Sequence, residues 1–138
     1  MTKRPFSIQG VHHIAIQTRD WDASFKLYQD VLGLPLTYWV PTDRKIALFN
    51  LGNNSFIELF EPEADTPAPG SPAANDPLPH FAISVDNVGK AVEHVRAAGY
   101  EVTMESLRLT GENFDATIAF FTGPSGESIE FLHWHGGR

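Results

Sequence analysis

The chain repeats itself, and that repetition restricts its fold more than any other feature. One stretch opens HIAIQTRD at His13 and a second opens HFAISVD at His80. In each, apolar residues alternate with small or polar ones, which predicts a strand, and the strand ends at an aspartate suited to cap a helix. Helical spacing follows over 20–32 (Trp21, Phe25, Tyr28, Val31, Leu32) and over 86–98 (Val88, Ala91, Val92, Val95). Gly33 and Gly99 then supply stop signals. After each helix come three β-rich runs, at 36–40, 45–51 and 55–60 and again at 101–105, 116–122 and 127–134. Tight turns are expected at Gly52-Asn53-Asn54 and Pro124-Ser125-Gly126. The order βαβββ occurs twice, which predicts an α+β chain whose two modules pair into a curved, open, barrel-like mixed sheet around a cavity.

Strand alternation shows what each module offers. His13 shares a face with Ala15 and Gln17, and His80 with Ala82 and Ser84, while the intervening residues are apolar. The last strand of each module carries a carboxylate inside an apolar run, Glu58 in FIELF and Glu130 in SIEFL. A carboxylate placed there must be paired, protonated or bound to a cation, because burying it ionised and alone costs several kcal/mol or more. Taken singly, a strand histidine or glutamate is more often structural. The repetition changes that balance: the glutamates follow their histidines by 45 and 50 residues. Pairing the modules lets His13, Glu58, His80 and Glu130 converge on one divalent cation, with nickel, cobalt or zinc favoured and manganese or iron compatible. Of the other histidines, His12 is expected to face away from His13, His94 to lie in the second helix, His133 opposite Glu130, and His135 in the tail.

Composition limits the alternatives. There is no cysteine, so disulfides, thiolate nucleophiles and Cys-type zinc sites are excluded, leaving His and carboxylates as strong ligands. A net charge of −7 argues against a nucleic-acid partner. No apolar run is long enough for a membrane span, and no secretory signal follows Lys3 and Arg4, so a cytoplasmic protein is expected. Six of the ten prolines lie between Pro62 and Pro79. They mark a linker over 61–79 between modules of about 11–60 and 80–134, within a single domain of 1–138. Half-open sheets leave edges and faces to cover, so a homodimer is expected.

Four segments carry a resemblance: VHHIAIQTRDWDASFKLYQDVLGLPL, the FIEL strand, PHFAISVDN and IAFFTGPSGESIEFL. In order and spacing they resemble the vicinal oxygen chelate superfamily, which includes glyoxalase I, methylmalonyl-CoA epimerase, extradiol dioxygenases and fosfomycin and bleomycin resistance proteins. The ligand pattern is similar to bacterial glyoxalase I, which uses His, Glu, His and Glu. The resemblance implies a metal-dependent lyase or isomerase that moves a proton next to a carbonyl of a small substrate with two vicinal oxygens. Glu130 and Glu58 would be the catalytic carboxylates, with Glu130 the principal base. The alternatives are a binding or antibiotic-resistance protein of the same fold, or a metal-dependent dioxygenase. Two positions depart from glyoxalase I: Gln17 stands where an Arg helps hold the glutathione carboxylate, and Pro62 where an Asn contacts its glutamyl end. The glutathione adduct is therefore not the expected substrate. Candidate substrate contacts are Gln17, Phe56 and Phe60 on the Glu58 side, and Arg108 and Asn113 in a Gly-containing loop. The family pairs its modules both within a chain and across a dimer, and the sequence leaves that choice open.

Overall fold

The computed structural model describes Pro5, Phe6, Gln9 and residues 11–64, 80–112 and 114–136. Much of the Pro-rich linker and Asn113 lie outside these residues. The first module runs β1 (His13–Gln17), α1 (Trp21–Lys26), a π-helical turn over Leu27–Val31, β2 (Leu36–Trp39), β3 (Ile46–Gly52) and β4 (Ser55–Phe60). The second runs β5 (Phe81–Ser84), α2 (Val88–Ala97), β6 (Val102–Gly111), β7 (Phe114–Thr122) and β8 (Ser128–Gly136). The βαβββ order is present twice, and each module forms its own four-stranded mixed sheet, β1-β4-β3-β2 and β5-β8-β7-β6. In each sheet the first and last strands of the module pair in parallel and the rest pair antiparallel. Neither sheet closes on itself. No described helix is long and apolar enough to cross a membrane.

Local chemistry explains the boundaries. The Asp20 carboxylate accepts from the Ala23 N–H and caps α1 as expected. The second cap falls on Asn87 rather than Asp86; its side chain accepts from the Lys90 N–H. The first helix does not stay α-helical to Leu32. After Lys26 it widens, and the Leu32 N–H donates to Leu27 O at 2.8 Å, an i→i+5 bond. Gly33, at φ 69°, then leaves the helix in the left-handed region that glycine enters at little cost. In the hairpin between β3 and β4, Gly52, Asn53 and Asn54 all have positive φ. The greatest difference from expectation is β6, which runs on to Gly111, so Arg108 lies in a strand paired with Thr117 and not in a loop.

One face of each sheet packs under its helix. Phe49, Ile57 and Leu59 in the first module and Phe121, Ile129 and Val95 in the second are essentially inaccessible to solvent, and they belong to one continuous cluster. The modules also meet through a buried polar junction. The Tyr28 hydroxyl donates to Glu127 Oε2 at 2.9 Å, the Arg19 N–H donates to Ser125 Oγ at 2.9 Å, and the Ser24 and Ser125 hydroxyls share a bond of 3.1 Å. Gly123 leaves room for this carboxylate, since a Cβ there would come within 2.3 Å of the Glu127 carboxyl carbon.

Candidate metal centre

The two histidines and two glutamates sit on the faces turned away from the helices. In the first module Ala15 is level with Glu58 and His13 with Phe56, so His13, Gln17, Phe56, Glu58 and Phe60 share one face. His13 Nε2 lies 3.4 Å from Glu58 Oε1. In the second module Ala82 is level with Glu130, and His80 Nε2 lies 2.9 Å from Glu130 Oε1. An alanine level with each glutamate leaves space beside the carboxylate. Both glutamates are well shielded, with side chains 12% and 9% exposed, whereas the histidines remain 42% and 50% exposed.

These separations suit a cation. Two ligands at right angles, each about 2.1 Å from a metal ion, stand about 3 Å apart. Each module therefore presents a His–Glu pair at the separation that two ligands of one cation would have. The chain does not bring the two pairs together: among the described residues no group of three or more His, Asp or Glu side chains is close enough to hold a metal. A cleft of about 500 Å³ between the modules is lined by Leu34, Ile83, Lys90, Ala91 and Phe131, and contains none of the four.

The surroundings of the pairs were only partly foreseen. His12 does not turn away from His13; its Nδ1 lies 3.0 Å from His13 Nδ1 and its ring packs 5.3 Å from Phe56. The strand begins at His13, so alternation does not govern residue 12. The Gln17 amide donates to Glu61 O at 2.7 Å. Arg108 pairs bidentately with Asp115 at 2.9 and 2.7 Å, level with Thr117 and so on the face opposite Glu130. His133 also lies opposite Glu130, where its Nδ1–H donates to Val85 O at 3.0 Å. His94 lies in α2 and donates to Val31 O at 2.6 Å. One neighbour had no signal in the sequence pattern: the Arg44 guanidinium lies over the Phe60 ring, 5.1 Å from its centroid. On the second module, Leu107, Leu109, Phe114 and Trp134 share the ligand-bearing face and are 38–47% exposed.

Residues 10–131 match the model of the Glyoxalase/Bleomycin resistance protein/Dioxygenase superfamily. The chain belongs to this superfamily. It is 33% identical over 126 residues to the uncharacterized protein YaeR of Escherichia coli (strain K12), covering 89% of this chain and 95% of that one. It is also 33% identical over 127 residues to the lactoylglutathione lyase of Haemophilus influenzae, covering 87% and 89% of the two chains. The fold is similar to that of a glyoxalase/dioxygenase from Nostoc punctiforme, with a TM-score of 0.76, 23% identity and 97% of each chain covered.

Proposed function

We propose that this superfamily member is a metal-dependent lyase or isomerase of the glyoxalase I type, with each active centre shared between two copies of the chain. His13 and Glu58 of one copy and His80 and Glu130 of the other would hold one divalent ion, most suitably nickel, cobalt or zinc. The observation that carries this reading is the division of the ligands. Each module has a His–Glu pair at the separation of neighbouring metal ligands, yet the pairs do not meet within a chain. The half-exposed Leu107, Leu109, Phe114 and Trp134 on the same face are the kind of apolar surface that a second copy would cover.

A bound divalent ion supplies Lewis acidity to two vicinal oxygens of a substrate and so makes the neighbouring C–H acidic. The chain's own residues do the rest. Glu130 takes the proton from that carbon and returns it to the neighbouring one, acting as general base and then general acid. Glu58, from the other copy, faces the substrate from the opposite side. Phe56, Phe60 and Phe120 line the ligand faces and exclude water from the exchanging proton. Gln17 is engaged with Glu61 O, and Pro62 has no N–H to give. The glutathione–methylglyoxal adduct is therefore a poor substrate on this reading.

Metal analysis after dialysis against a weak chelator should find about one divalent ion per four-ligand set, that is, one per chain. Solvent deuterium should enter a turned-over substrate at the carbon next to its carbonyl. Glu130→Gln should slow that exchange by about 10²–10⁴-fold, the usual worth of a general base, while the metal stays bound. A folded protein that takes up no added cation would sink the assignment. Oxygen consumption with a catechol would replace proton transfer by oxygenation.

A further inference from the structure

Arg44 lies on the β2–β3 connection, outside the four sequence segments quoted above. It stands two residues before β3, where Ile46 and Leu48 pair with Phe60 and Glu58 respectively. Its guanidinium accordingly lies over Phe60, on the ligand-bearing face, at 5.1 Å from the ring centroid. Lys45, one residue on, turns to the opposite face and lies over Trp21 at 5.0 Å. The backbone that presents Arg44 is fixed by several bonds. Its N–H donates to Thr42 Oγ1 at 3.2 Å, the Lys45 N–H donates to Glu61 Oε1 at 3.0 Å, and the Glu61 N–H returns a bond to Lys45 O at 2.9 Å. Arg44 Nη2 also donates to Glu61 O at 3.4 Å, the carbonyl that Gln17 uses. Among the described residues, most of the guanidinium's donors have no close partner. Its ion pair to Glu63 is long at 3.6 Å, and both side chains are substantially exposed.

We propose that Arg44 anchors a carboxylate of the substrate, so that the substrate is a vicinal-oxygen compound with a short apolar spacer ending in a carboxylate. This rests on the metal reading above. Phe60 is two residues beyond Glu58 on one strand, so the spacer crosses roughly 7 Å between the chelated end and the anchor. The planar fork of a guanidinium matches a carboxylate bidentately. A monoanion suits the place better than a phosphate dianion, because Glu61 and Glu63 already crowd it and Lys45 points away.

The test uses zinc-loaded wild-type protein and two hydroxamates, which chelate through vicinal oxygens: adipic acid monohydroxamate and its methyl ester. Calorimetry at fixed ionic strength should show the acid binding about tenfold more tightly than the ester, the effect of one charge-assisted contact. Arg44→Gln should erase this preference while leaving ester affinity unchanged, and Arg44→Lys should restore part of it. Equal binding of acid and ester by the wild type, or a preference that survives in Arg44→Gln, would overturn the anchor while leaving the metal reading intact. Ester binding that does not require zinc would overturn the metal reading and the anchor with it. A phosphonate analogue that binds tighter than the acid would overturn the choice of a carboxylate.

Discussion

The two modules build the same His–Glu pair from the same backbone and then surround it differently. In both, a histidine at or just before the start of the first strand meets a glutamate on the last strand, with an alanine level with the carboxylate in the parallel pairing. Around His13 and Glu58 the flank is mixed: Phe56, Phe60 and Tyr38 share the face with Gln17, and Arg44 lies over Phe60. Around His80 and Glu130 the flank is apolar: His80 packs on Phe120 at 4.9 Å, and Leu107, Leu109 and Trp134 continue the surface. The second pair is also tighter, at 2.9 Å against 3.4 Å. The repeat supplies two equivalent His–Glu pairs, and the residues beside them are free to diverge. On the proposed reading, the first module recognises the polar end of the substrate and the second supplies the apolar surface on which the other copy docks.

The most severe test of this comparison removes one histidine from each module. His13→Ala and His80→Ala should each weaken metal binding by more than the roughly 10–100-fold that loss of an outer-shell partner costs. Mixing the two variants should then restore up to one intact site per mixed dimer, with all four ligands supplied by its undamaged halves. Subunits would be exchanged by co-expression with two affinity tags, and bound metal measured on the doubly purified species. A centre built within one chain would give no restoration, because each chain would carry its own defect.

A second test concerns the junction that holds the modules together. Burial raises the Glu127 pKa above the ordinary glutamate value, opposed by bonds from Tyr28 and Ser125 and by the nearby charge of Arg19. Burial, followed by the charge of Glu127, likewise holds the Tyr28 hydroxyl well above the usual tyrosine range. The folded chain therefore keeps the Glu127 proton more tightly than the unfolded chain. The stability this confers is complete below the usual glutamate range and is lost as pH rises through the raised pKa. Glu127→Gln keeps the shape without the charge, so its melting temperature should gain on the wild type as pH is raised from about 4 to 7. A difference in melting temperature that does not change with pH would show that the junction is not titrating.

How much was legible in the sequence follows from what repeats. The strand order, the Asp20 cap, the Gly33 stop and the face shared by His13, Gln17 and Glu58 all depend on local periodicity, which the chain displays twice. The π-helical turn was not legible, because Leu27, Tyr28 and Val31 suit a regular helix equally well. It is tertiary packing of Tyr28 against Glu127 that accompanies the wider turn. The contrast between Arg108 and Arg44 has the same cause. Arg108 is followed by Gly111 and Asn113, a composition that suggests a loop. Arg44 comes over Phe60 only through the pairing of β3 with β4, which no local pattern displays.

That contrast gives the smallest expected effect. Arg108 and Asp115 are joined bidentately, but the pair stands on the outer face, with the arginine side chain 59% exposed. Exposed ion pairs contribute about 0–1 kcal/mol, because water already solvates both charges and two side chains must be ordered to join them. The neighbouring arginine holds the Asp115 carboxyl below its ordinary value, yet on a surface so open to solvent this implies little for the fold. Arg108→Ala should therefore lower the unfolding free energy by no more than about 1 kcal/mol. It should also leave metal affinity and the acid-over-ester preference of the hydroxamates unchanged, whereas Arg44→Gln erases that preference. If Arg108→Ala removed the preference as well, the β6–β7 hairpin would have to reach the ligand face of another copy. Recognition would then be divided between the modules instead of residing in the first.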